Sequence, residues 1–154
     1  MWYRAIWLMS CCVFSVVCSA SELKTQAEQG LKRFVTALKT HDLKTLQQLM
    51  VDDMTVNVLW LDAEPVQKFT LTKADYLQQA KATWRFASQE SYEMSNLVWS
   101  EQAETGTVVA KFTNTEKRVI LQSATGQKHQ LEMSWALVNG SPRIVHINTK
   151  VSMW

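Results

Sequence analysis

Cysteine is missing from most of this chain. Its 154 residues include three, Cys11, Cys12 and Cys18, and all lie within the first twenty. From residue 21 onward a disulfide scaffold, a thiolate zinc site and a cysteine nucleophile are therefore excluded, and stability must come from packing. Two prolines and four glycines are too few for a collagen-like or low-complexity chain. Charge is scarce too: Asp, Glu, Lys and Arg make up 19% of the residues, with a formal net charge of +2. Nucleic-acid binding, which usually shows as a clustered basic face, is not indicated. The three histidines, His41, His129 and His146, are too scattered for a zinc site. With no phosphate-cradling glycine loop either, neither a metal nor a cofactor is expected. What is present in quantity is apolar surface, at 47% of residues, and tryptophan, with seven. That is enough for one packed domain at this length.

Residues 1–20 read as a secretory signal peptide. Arg4 supplies a short basic start, an uncharged and mostly apolar run follows, and Cys18-Ser19-Ala20 offers small residues for cleavage after Ala20. The apolar stretch is shorter than the ~20 residues a bilayer-spanning helix needs, so no stable membrane span is expected once it is removed. The expectation is an exported protein, periplasmic or secreted, whose single domain spans 21–154. That domain carries 15 basic and 14 acidic residues, too even a balance for steering towards polyanions.

Apolar residues at Leu23, Ala27, Leu31, Phe34, Val35 and Leu38 recur every three or four positions, which predicts a helix over 21–39. Gly30 inside it is unfavourable by about 1 kcal/mol relative to Ala and marks a close contact. Asp42 caps a short second helix, with Leu43, Leu46, Leu49 and Met50 on one side. Strands are expected over 54–61 and 66–71. Thr72 and Asp75 then form a capping box for a third helix that presents Tyr76, Leu77, Ala80 and Trp84. Four long strands follow, over 91–102, 107–121, 128–138 and 143–154, with turns at Gly106, Gly126 and Asn139-Gly140. In the last strand Val145, Ile147, Val151 and Met153 should face the helices. His146, Asn148, Lys150 and Ser152 should face away. Segregated helices and strands of this kind predict an α+β fold, with helices on one face of a curved, mostly antiparallel sheet.

The residues Phe34 to Leu46, Leu71 to Leu77, and the pair Trp135–Gly140 and Arg143–Thr149 resemble the NTF2-like superfamily. They correspond to its opening helical pair, the start of its third helix and its closing hairpin. The hairpin is most similar to SnoaL-like and ketosteroid isomerase-like proteins near the association domain of calcium/calmodulin-dependent kinase II. Pro142 replaces a tryptophan common before the last strand, and Asn148 replaces the second of two histidines. Met133 and Thr149 stand where some relatives carry pocket arginines. The resemblance implies a cone of three N-terminal helices on a strongly curved sheet, enclosing a pocket.

Residues expected to line that pocket are Trp60, Tyr76, Trp84, Tyr92, Trp99, Lys111, Trp135 and Thr149. Large aromatics at such positions also serve as plain core. An enzyme on this scaffold, an isomerase, cyclase or hydrolase, would need a placed acid or base. Glu132 and His146 are weak candidates, and a strand carboxylate is usually on the wet face. His146 alternates away from the apolar side of its strand. The reading these features favour is an exported domain that binds a small, partly apolar molecule without transforming it. The alternatives are an enzyme of the kinds above, or a homodimeric interaction protein that pairs through the outer face of its sheet. The fold alone does not choose among them.

Overall fold

The computed structural model describes residues 20–154, so the expected signal peptide lies outside the described residues apart from its last position. Two helices lead: α1 (Ala20–Lys39) and α2 (Leu43–Leu49). The strands β1 (Met50–Trp60) and β2 (Gln67–Thr72) come next, and α3 (Lys73–Phe86) follows them rather than joining the leading pair. Four strands complete the fold: β3 (Ala87–Gln102), β4 (Thr107–Ile120), β5 (Ser123–Val138) and β6 (Ser141–Met153). They make one six-stranded sheet in the order β2-β1-β6-β5-β4-β3. Every pairing is antiparallel except β1 with β6.

Local chemistry explains the helix starts. Asp42 accepts from the Thr45 backbone N–H at 3.0 Å, as an N-cap does. Thr72 and Asp75 complete a reciprocal capping box at the head of α3. The buried stripe of α1, Leu23, Ala27, Leu31, Phe34 and Ala37, packs with Met54, Val56, Val108, Ala110, Met133, Trp135, Ile144 and Ile147 from the sheet. Gly30 is the point of closest approach. A Cβ there would lie 2.6 Å from the Trp135 ring.

Three expectations are corrected. The inward face of β6 is Ile144, Ile147, Thr149 and Val151, without Val145, and Met153 follows their parity opposite Gln127. Consecutive residues Ser134 and Trp135 of β5 pair with His146 and Ile144, so Val145 is the extra residue of a bulge and the alternation resets there. Met153 is exposed at the end of the strand. The hairpin between β4 and β5 turns at Leu121-Gln122, where both residues take left-handed backbone (φ 46 and 69), and not at Gly126. Gly126 sits inside β5, and the Trp154 ring occupies the space a side chain there would fill. Finally, β1 begins directly at Met50, where α2 ends, and not at Met54.

Candidate functional site

Pairing register builds the inner wall of the sheet row by row. Val56, Ile147, Met133, Ala110 and Trp99 lie side by side on β1, β6, β5, β4 and β3. The next inward row is Val58, Thr149, Leu131 and Phe112. After it come Trp60, Val151, His129, Asn114 and Met94, and then Met153, Gln127, Glu116 and Tyr92. Along this sequence the wall changes from wholly apolar to mixed. Burial is near-complete at Ile147 and Met133 and partial at Trp60, His129, Asn114 and Tyr92, while Val151 and Glu116 stay buried. The cone therefore opens at the end where β1 finishes and β3 begins.

Between this wall and the helices lies a cavity of about 270 Å³. Phe34, Val35 and Leu38 of α1 and Tyr76, Ala80, Thr83 and Trp84 of α3 close it on the helical side. Five of the eight expected lining residues are found there: Trp60, Tyr76, Trp84, Tyr92 and Thr149. The other three are elsewhere. Trp135 is fully buried under Gly30 as core. Trp99 packs beside the core at the closed end. Lys111 follows the opposite parity of β4 to Phe112, so it projects from the outer face, where it pairs with Glu132 at 3.0 Å.

That pairing also places Glu132 outside the cavity. His146 is on the outer face as well, in a polar ladder. Its Nδ1 lies 2.8 Å from Thr55 Oγ1, and its Nε2 lies 2.9 Å from Asn148 Oδ1. Asn57 joins the ladder to Asn148 at 3.1 Å.

Beyond Tyr76 and Tyr92, the titratable groups of the cavity are ones the sequence did not assign to it. Glu116, Arg118 and His129 converge on its wall with Gln127. Arg118 Nη2 lies 2.5 Å from Glu116 Oε2 and donates to Gln127 Oε1 at 3.1 Å. His129 Nε2 lies 3.2 Å from the same Gln127 oxygen and 3.5 Å from Glu116 Oε2. Both neighbours of that nitrogen are acceptors, so Nε2 carries the proton. Burial alone would raise the Glu116 carboxyl. The bond from His129, the charges of Arg118 and His129 and a bond from Tyr92 outweigh it and hold the group below the usual carboxylate range. Tyr76 and Tyr92 are pushed well above the usual phenol range, by burial first and then by the Glu116 charge. Both remain neutral hydroxyls.

The signal for this cluster was present in the parity of β4. Val108, Ala110 and Phe112 face inward, and the same alternation continues to Asn114, Glu116 and Arg118.

Two further polar groups bear on the site. Thr149 Oγ1 is buried on the cavity wall with no hydrogen-bond partner among the described residues. Behind Trp84, the His41 ring stacks on the indole with centroids 4.8 Å apart and planes 15° from parallel. His41 Nε2 reaches Glu90 Oε2 at 2.5 Å, which fixes that wall of the cone.

Solved structures with this arrangement match over nearly the whole chain. A putative scytalone dehydratase from Novosphingobium aromaticivorans superposes with a TM-score of 0.70 at 14% identity, covering 87% of each chain. An NTF2-like protein from Cytophaga hutchinsonii superposes with a TM-score of 0.66 at 15% identity, covering 84% of this chain and 98% of that one. The chain has the NTF2-like fold. LinA shares it, with a TM-score of 0.65 at 10% identity, over 87% of this chain and 91% of LinA. No sequence-family profile matches the chain, and no curated protein matches it in sequence. The likeness to NTF2-like structures is thus one of backbone, and the cavity must be read from its own residues.

Proposed function

We propose that this chain is an exported binder of a small, neutral, largely apolar molecule held in the NTF2-like cone. The observation that carries the reading is the make-up of the cavity. Aromatic side chains from β1, β2, β3, β4, α1 and α3 surround it, and its acid and its arginine are paired with each other. Glu116 and Arg118 face each other at ion-pair distance, so a ligand carrying a full charge finds no uncompensated partner. Thr149 Oγ1 is the polar atom of a row otherwise made of Val58, Leu131 and Phe112. Pairing of two copies through the polar outer face, where Lys111, Glu132, Asn57 and Asn148 lie, would leave both cones open.

The test uses N-phenyl-1-naphthylamine, an uncharged probe whose emission rises in apolar surroundings. It should bind at one site and quench tryptophan emission through Trp60 and Trp84. Ala80→Trp, which fills the cavity from α3, should abolish binding without lowering the melting temperature. Absence of binding to the unmodified chain, or an unchanged titration in the variant, overturns the reading.

A second reading is supported by the contact between His129 and Glu116. A carboxylate beside a protonated Nε2 leaves Nδ1 as the basic atom, the arrangement of a general base. Under it, His129→Asn removes turnover of a bound substrate while probe binding persists.

A further inference from the structure

The polar groups lining the cavity differ in what they ask of a ligand. Asn114, Gln79, Tyr76, Thr83 and the Trp60 indole can each donate to a ligand oxygen, so none separates an alcohol from a ketone. Glu116 and Arg118, further along β4 towards the opening, are taken up by each other. His129 is different. Its Nε2 proton is directed at Gln127 Oε1 and Glu116 Oε2, and nothing bonds to Nδ1 among the described residues. That nitrogen carries no proton and only accepts. A ligand that sets an oxygen beside it must bring the hydrogen.

Thr149 supplies the complement. It pairs with Leu131, and His129 lies two residues along β5 on the same inward face. Diagonal neighbours of this kind stand about 7–8 Å apart, a span that one ligand oxygen bridges when it bonds to both side chains. Thr149 Oγ1 is buried without a partner among the described residues. Thr149 itself lines the cavity, and one staggered step about its Cα–Cβ bond turns the hydroxyl towards a ligand.

We propose that the molecule held in the cone is a neutral alcohol, its hydroxyl donating to His129 Nδ1 and accepting from Thr149 Oγ1. This rests on the binding reading above and narrows it to one class of ligand. A hydroxyl has one hydrogen and two lone pairs, so it satisfies both groups at once. A ketone, ether or ester of the same shape accepts from Thr149 but brings no hydrogen to Nδ1, and lone pairs then face lone pairs. Carboxylic acids and amines are charged near neutral pH, and Glu116 and Arg118, already paired, leave such a ligand no partner. The apolar remainder rests on Phe34, Leu38, Val58 and Leu131. At about 270 Å³ the space falls near the small end of ligand pockets, which suits a skeleton of one or two rings.

Borneol and camphor test it, because they share one bicyclic skeleton and differ as alcohol and ketone. Each is titrated against N-phenyl-1-naphthylamine bound to the full chain. Borneol should displace the probe at about tenfold lower concentration, the change expected when a buried acceptor is met rather than left unmet. His129→Gln keeps an N–H towards Glu116 in the place of Nε2 and deletes the acceptor, so it should remove that preference. Thr149→Val should weaken both ligands alike, since both accept from its hydroxyl. A measurement that needs no variant is the nitrogen NMR resonance of His129 Nδ1, which should move upfield with borneol and hold still with camphor. If the probe itself does not bind, the binding reading falls and the alcohol with it. If the probe binds, three results overturn the alcohol alone: no advantage of borneol over camphor, an advantage that survives in a folded His129→Gln chain, or an Nδ1 resonance that borneol leaves in place.

Discussion

Glu116 shows how one buried group ties stability to acidity. Its folded pKa lies below the unfolded value, so the carboxylate stabilises the fold fully above the unfolded pKa. That contribution is lost as pH falls through the folded one. Glu116→Gln should therefore flatten the decline of melting temperature below about pH 4.3, the ordinary glutamate value. Thermal melts of both proteins across the acid range would check this, and parallel acid limbs would contradict it. Thr149 makes the reverse case, because its buried hydroxyl has no hydrogen-bond partner among the described residues. Thr149→Val keeps the shape and removes the orphan, so the empty protein should gain about 1–2 kcal/mol. Chemical denaturation measures that gain. Weaker binding of a hydroxylated or carbonyl ligand in the same variant would show what the hydroxyl is kept for.

Among the elements, α1 has the narrowest tolerance. Gly30→Ala improves helix propensity by about 1 kcal/mol but drives a methyl group into the Trp135 ring, and overpacking of this kind costs about 1–3 kcal/mol. The balance should be a net loss, read as a lower denaturation midpoint, and an unchanged midpoint would mean the indole can yield. The contact behind this prediction was legible in the sequence, as were both helix caps, since a lone glycine in an amphipathic stripe and a Thr-x-x-Asp pair carry local meaning. The β4–β5 turn was not legible. Leu121 and Gln122 lack turn chemistry, and the expected turn at Gly126 lies four residues beyond Gln122. The bulge at Val145 was hidden for a related reason. Nothing in Ile144-Val145-His146 marks which residue is extra, and only the partner strand decides it. The same dependence on partners explains the site. Trp135 and Trp60 look alike in sequence, yet one lies beneath α1 and the other at the open end. Lys111 was assigned to the pocket although the parity of its own strand turns it outward.

For the molecule as a whole, the change from apolar to mixed rows follows from sequence parity on four strands brought into register. The deep rows carry Val, Ile, Met and Ala because α1 must seat there. The rows nearer the opening carry His129, Asn114, Glu116 and Gln127, because no helix covers them as closely. A binding cavity arises where the layers stop touching.

The side-by-side parallel alignment of β1 and β6 constrains how such a chain can be made. The second strand of the sheet finds its neighbour about ninety residues later, as Thr55 finds His146. Until β6 leaves the ribosome, β1 and β2 form an isolated ribbon and β3, β4 and β5 a separate one, with the greasy flank of α1 covering neither completely. Closure of the sheet must therefore wait for β6, which favours slow folding. It also gives a chaperone a long interval in which to hold the chain open.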